Sequence, residues 1–518
     1  MRSITIERRT NDETCNIALD TLEKGKQALI FCSTKRGAEA QAERIAVKVK
    51  TTIRAWSANA EAALKAVSSP TKQCKRLAKC LARGVAFHHA GLHSKQRALI
   101  EQGFREGTVS IICSTPTLAM GLDLPAFRVI IRDLKRFGGH GLQDIPVLEY
   151  EQMAGRAGRP GKEAFGEAII LAQTPDQAAT LTEHYIRGEP EEIFSKLAVE
   201  PVLRTYVLSL IAAGFLTTRE SLYDFFAHTF YAKQYGDTRK LHRILDAMTQ
   251  KLLAWGFLAA AQDADFVPAD KMRDGVLSAT PVGKRVAELY LDPFTARHII
   301  EALGRATPRT KAFAWLHCLA SCLELRPLLR PRTKEYDELV ALPAQHELLI
   351  NEPAQWSPEY DEFLATLKTA QFLNAWIDET REDALLERFG IGPGEVHMKL
   401  ERVDWLLYAA EELARIKQLR DLRAPLAKLR LRLKHGAREE LLPLLKLKGI
   451  GRVRARTLFT HGIRTIAALK TAEASTLAAL VGKALALDIK RQVGIELSPE
   501  KIIVKKGKRK GQRSMHDY

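Results

Sequence analysis

The stretch QMAGRAGRPG (152–161) sets Arg156 and Arg159 three residues apart among small residues, with Gln152 just before them. Two guanidinium groups at that spacing on a tight helical segment make a permanently charged donor pair. Each offers planar, bidentate hydrogen bonds to phosphate oxygens. Around this string run five short apolar segments: QALIFCS (27–33), GVAFHHA (84–90), VSIICST (109–115), RVIIRDL (128–134) and EAIILAQ (167–173). Each is rich in Ile, Val or Phe, and helix-like segments lie between several of them. That pattern predicts a parallel sheet covered on both faces, an α/β domain over residues 1–182.

Downstream the character changes. VLRTYVLSLIAAGFL (202–216) and LHRILDAMTQKLLAWGFL (241–258) carry apolar residues at helical spacing, and both end in Gly-Phe-Leu. Glycine suits a helix C-terminus. With a short hairpin expected near Phe266–Thr280, residues 183–290 read as a winged-helix module. Residues 291–413 are almost wholly helical by periodicity. Residues 414–500 read as a small basic helical domain, and 501–518 as a basic, disordered tail containing KKGKRKGQR.

The charge is localised. The 518-residue chain has a formal net charge of +18, and residues 415–518 alone hold 26 Lys and Arg against 8 Asp and Glu, so the remainder is neutral. Such a segment is the footprint of a polyanion partner. No apolar run approaches the ~18 residues of a membrane span, and the start reads as lacking a signal peptide. Seven cysteines without a Cys-x-x-Cys pair imply reduced thiols and a cytoplasmic protein. His88, His89 and His93 have no acidic or cysteine ligand beside them, so no metal site is assigned.

The motif strings, taken in order, carry a resemblance. QMAGRAGRPG resembles motif VI of superfamily-2 helicases, ALIFCSTKRGAE (28–39) motif IV, AFHHAGL (86–92) motif IVa and STPTLAMGLDLPAFRVII (114–131) motif V. Together they resemble the second RecA-like domain of the Ski-type branch, and most of all the archaeal HelQ-type DNA repair helicases. LSATPVGKRVAELYLDP (277–293) resembles the end of that family's winged helix. FGIGPGEVHMKLERVDWLLYAAEELA (389–414) is similar to its ratchet helix, and LKGIGRVRARTLFTHGIRT (447–465) to its helix-hairpin-helix.

The resemblance implies a multidomain fold: a RecA-like α/β domain, a winged helix, an all-α ratchet bundle (291–413) and a helix-hairpin-helix domain (414–500). It also implies roles. Gln152, Arg156 and Arg159 would face ATP and Mg²⁺ in a cleft shared with a first RecA-like domain, Arg159 acting as the finger. Gly121 and Asp123 would couple nucleotide to the strand, and Thr115 and Thr117 would touch backbone phosphates. Arg136, Phe137, Gly138, Gly139 and His140 would belong to a strand-separating hairpin. Trp405 would stack on a base. Met398 stands where relatives can carry a cation, with Lys399 beside it as the remaining candidate. Gly449 and Gly451 make a turn whose amides can approach phosphate, and Arg452, Arg454 and Arg456 line it.

No phosphate-cradling Gly-x-x-x-x-Gly-Lys-Ser/Thr string occurs in the chain. Asp12-Glu13-Thr14-Cys15 begins like an Asp-Glu-x-His box, but the polar ERRTN before it is no buried strand. Ser278-Ala279-Thr280 mimics helicase motif III in the wrong order. The reading is therefore the C-terminal portion of a 3′-to-5′ DNA helicase for branched or stalled-fork DNA. It expects an N-terminal RecA-like half supplied separately or lost from the gene model, and a chain that binds single-stranded and branched DNA but hydrolyses ATP negligibly alone. An ATP-independent DNA-binding remnant and a Ski-type RNA helicase are the alternatives.

Overall fold

A computed structural model describes residues 5–51, 53–67, 70–138, 141–158, 161, 163–197, 199–261 and 276–496. The chain divides into two compact units, residues 1–194 with 386–398, and residues 195–385 with 399–518.

In the first unit all five apolar segments form strands: β1 (Ala28–Phe31), β2 (Val85–His88), β3 (Ile111–Ser114), β4 (Arg128–Ile131) and, after a ribbon, β7 (Glu167–Ile170). They pair in parallel in the order β2-β3-β1-β4-β7. Every residue of β1 to β4 is buried, as expected where helices cover both faces of a parallel sheet. Arg128 is fully buried in β4. Its guanidinium reaches Glu167 (2.7 Å), Asp20 (2.8 Å) and Thr21 (2.7 Å), so an apparent core strand carries a buried charge network.

Local chemistry explains the two decoy motifs. Asp12 caps the helix Glu13–Glu23, accepting from Cys15 N at 3.1 Å. Thr280 caps the helix Pro281–Glu288, accepting from Gly283 N at 3.0 Å.

Residues 386–398 return to the first unit, a departure from linear domain boundaries. Gly394 N donates to Gly91 O at 2.9 Å, and a Cβ on Gly394 would collide with the carbonyl of Ala90. Only glycine lets the two backbones come this close. Lys35 Nζ adds an ion pair to Glu395 at 2.7 Å.

The second unit opens with helices Glu200–Ala212, Arg219–Ala227, Phe230–Tyr235 and Thr238–Ala254. An antiparallel ribbon, β8 (Leu258–Ala261) with β9 (Val276–Ala279), follows. Gly214 and Gly256, both at positive φ, end the first and last of these helices, as their Gly-Phe-Leu strings suggest. The first ribbon strand starts at Leu258, earlier than expected, and 262–275 lie outside the described residues. The helix Arg420–His435, assigned from sequence to the C-terminal domain, packs instead on the helical bundle. Trp376 Nε1 donates to Leu433 O at 2.7 Å, and Arg430 bridges to Asp404 at 2.9 Å. The small C-terminal core begins at Ala437 and closes around Leu444, Leu458, Leu477 and Ile489. The tail 501–518 lies outside the described residues.

Candidate nucleic-acid interface

The carboxyl ends of β1 to β4 open onto a pocket of about 270 Å³, the position where open parallel sheets bind ligands. Ser33, Lys35, Thr115, Thr117 and Arg136 line it, with Asp133 and Glu149. Thr115 and Thr117 hydroxyls lie 2.9 Å apart, displayed by the short turn Pro116–Leu118. Asp133 accepts from Ser33 N at 2.9 Å and from Arg132 Nη2 at 2.6 Å. Burial pushes its carboxyl up, but Arg132 and Ser33 overcome this and hold it below the ordinary range. Asp133 is thus occupied, and the pocket sets the Thr115 and Thr117 hydroxyls beside Lys35 and Arg136, which pair with Glu395 and Glu149. Sequence reading missed Ser33, Lys35 and Glu149. Their signal was position at strand ends, which a sheet order must first define.

The strings resembling motifs V and VI meet directly. Arg156 donates to Ala119 O, through Nε at 3.2 Å and also through Nη2, and Nη1 lies 3.9 Å from Asp123. Ala126 N donates to Arg156 O at 2.9 Å, and Gly158 N to Ala126 O at 2.7 Å. Gly121 and Gly158 both sit at positive φ, where other residues are strained. Asp123 and Gln152 are exposed. Arg159 lies outside the described residues.

Between these strings β5 (Lys135–Gly138) pairs antiparallel with β6 (Gly141–Asp144), placing Arg136, Phe137 and Gly138 on a ribbon. Gly139 and His140 lie outside the described residues.

In the second unit, Trp405 is half-buried on the helix Pro393–Ile416, and its indole N–H donates to Leu289 O at 3.1 Å. Lys399, expected to touch DNA, is instead 2% exposed. Its ammonium donates to the carbonyls of Leu325 (3.3 Å) and Pro327 (2.5 Å), because a buried charge must find acceptors.

The helix-hairpin-helix turn forms as expected. Gly449 has φ +82°, and Gly451 caps the helix Arg452–Thr460. Its arginines divide, however. Arg454 is exposed and donates to Gly449 O at 2.8 Å. Arg456 is spent on Glu379 (2.6 Å) and Glu440 (2.8 Å), and Arg452 lies over the Trp376 ring. These two face protein, a correction to the expectation of DNA contacts. A second hairpin was missed. Gly482, at positive φ, joins the helices Ala474–Val481 and Lys483–Gln492, and Lys483 is exposed beside it. Its trace in the sequence was Val-Gly-Lys (481–483), a shorter echo of Gly449-Ile-Gly-Arg452. The two hairpins abut, with Gln492 Nε2 donating to Lys448 O at 3.1 Å.

Comparison with known proteins places these features in one family. Residues 10–161 match the helicase conserved C-terminal domain, 313–436 the archaeal helicase domain 4, and 441–494 a SAM-like helix-hairpin-helix tandem. The ATP-dependent DNA helicase Hel308 of Pyrococcus horikoshii is 35% identical over 497 residues, covering 94% of this chain and 67% of the relative. The chain belongs to the Hel308 family. The Hel308 of Methanocella arvoryzae is 37% identical over 506 residues, covering 95% of this chain and 66% of that relative. The chain thus spans about two thirds of the length of these Hel308 relatives. The tandem accounts for the second hairpin at Gly482. Among the described residues no helix is long and apolar enough to cross a membrane.

Proposed function

We propose that this chain supplies the second motor domain and the DNA-gripping domains of a 3′-to-5′ DNA helicase that unwinds branched or stalled-fork DNA in repair. The observation that carries the reading is the junction of Arg156 with Ala119 and Asp123. It joins a phosphate-type donor set to the loop whose other end displays Thr115 and Thr117 at the pocket. A shift of Arg156 toward a nucleotide would therefore be felt at the strand-facing hydroxyls.

In this reading Gln152, Arg156 and Arg159 hold the polyphosphate of ATP. The exposed Gln152 amide and the Arg156 Nη1, beyond hydrogen-bonding distance of Asp123, suit such an anion. ATP with Mg²⁺ supplies the phosphoryl chemistry when bound. Residues 183–290 act as a winged helix, and the ribbon β5–β6 separates the strands. Trp405 stacks on a base of the translocating strand, with its N–H anchored on Leu289 to orient the ring. The exposed Arg454 and the turns at Gly449 and Gly482 grip backbone phosphates.

Neither a Gly-x-x-x-x-Gly-Lys-Ser/Thr P-loop nor an Asp-Glu-x-His box occurs in the 518 residues, so in this reading the chain carries half of a nucleotide site. The test is DNA-stimulated phosphate release, by the chain alone and mixed with a RecA-like half bearing a P-loop. The chain alone stays at background, and the mixture hydrolyses ATP. Arg159→Ala lowers the mixture's rate by a factor of about 10³ or more. Hydrolysis by the chain alone refutes the half-site. Intact DNA binding without restored hydrolysis leaves an ATP-independent DNA-binding protein, and preference for RNA over the matched DNA strand would favour an RNA helicase.

A further inference from the structure

We infer that the ion pair between Arg136 and Glu149 is the positioning link by which the helix leading into QMAGRAGRPG sets the pose of the β5–β6 ribbon. Glu149 is the third residue of the helix Val147–Ala154, and its side chain is only 6% exposed. One carboxylate oxygen lies 2.6 Å from Arg136 Nη1, and the other, Oε1, is buried with no hydrogen-bond partner among the described residues. Arg136 sits on β5 with its side chain about half exposed.

A carboxylate taken out of water is costly unless paired, and among the described residues Arg136 is the cation that pairs with Glu149. A ribbon of two four-residue strands cannot hold its own pose in water. Its pose must come from its root. There, Ile145 N donates to Leu134 O at 2.8 Å, and the buried Tyr185 hydroxyl donates to Ile145 O at 3.1 Å. Only Ile145 and Pro146 separate β6 from the helix, whose first amides, Val147 N and Leu148 N, are capped by Glu191 at 2.7 and 3.1 Å. These contacts hold the root, while the Arg136–Glu149 pair reaches from the helix to the body of the ribbon.

At its far end the same helix runs through Gly155 into Arg156, which is bonded to Ala119 O. One helix of eight residues therefore presents Glu149 to the ribbon and delivers Arg156 to the junction with the Gly121–Asp123 loop. A displacement of the helix moves Glu149, and the ion pair carries the ribbon with it. Arg136 and Glu149 act here as positioning residues. The consequence for unwinding rests on the strand-separating reading of the ribbon; the link itself does not.

Hydrogen exchange on the full 518-residue chain tests the link. In the wild type, the amides of β5 and β6 exchange in step with those of Val147–Ala154 as one cooperative unit. Glu149→Gln and Arg136→Met each raise ribbon exchange about tenfold while the helix keeps its rate. The double variant goes no further than either single one, the signature of one shared interaction, and Arg136→Lys stays near the wild type. Unchanged ribbon exchange in both single variants, or independent, multiplying effects in the double one, overturns the link. Strand separation is read apart from this, with 2-aminopurine at the first pair of a DNA fork. A wild-type chain that leaves that pair stacked refutes the strand-separating reading and leaves the exchange result to judge the link.

Discussion

The guanidinium of Arg452 lies over the indole of Trp376, 4.4 Å from the ring centroid, so the first residue of the hairpin helix faces the helical bundle. Burial also lowers its pKa from the usual arginine value. Arg454, two residues on, is exposed. Arg452→Ala should lower stability by about 1–2 kcal/mol through lost stacking, with little change in the salt dependence of DNA binding. Arg454→Ala should do the reverse, reducing the slope of log affinity against log salt by about 0.7 on a single strand. Urea melts and salt titrations of the two variants check the division.

His317 is buried with Nε2 3.0 Å from the Thr366 hydroxyl, and burial, aided by the charge of His298, lowers its pKa to about 3. The unfolded chain binds a proton below the usual value of 6.5 that the folded one refuses. Stability from the neutral ring is complete above that value and is lost as pH falls, by about 1.4 kcal/mol per pH unit. His317→Asn should flatten the acid limb of stability between pH 6.5 and about 3. Denaturant midpoints across that range test it.

Gly394→Ala should detach residues 386–398 from the first unit, because the new methyl group meets the Ala90 carbonyl. A cost of about 1–3 kcal/mol is expected from forcing an atom into filled space. Faster hydrogen exchange at the Gly394 amide, with the β1–β4 amides unchanged, is the outcome to look for.

Arg128→Met should destabilise the first unit by about 3–5 kcal/mol, since it leaves Asp20 and Glu167 without their shared partner. Adding Glu167→Gln should recover part of that loss. Thermal melts of the single and double variants decide; no recovery would mean that packing, and not charge, is what Arg128 supplies.

Local patterning made much of this protein legible. Each parallel strand is short and rich in Ile, Val, Phe or Ala, and the two Gly-Phe-Leu helix ends need only a backbone that tolerates positive φ. The order of motif strings was enough to point to a helicase family. Charge counts also located the basic C-terminal region, from Arg415 on. These signals work because strand burial, helix capping and family motifs are properties of neighbouring residues.

Tertiary structure decided which charges are available. Arg452, Arg456 and Lys399 look like DNA contacts in sequence, yet each is spent on Trp376, Glu379 or backbone carbonyls far along the chain. The pairing of Arg136 with Glu149, and of Gly91 with Gly394, likewise has no sequence signature. A residue's type and spacing determine what it can bond, but burial and the partner the fold brings to it determine what it does bond. That choice is made across the whole chain, because a charge removed from water must be met by whichever group the packing places beside it.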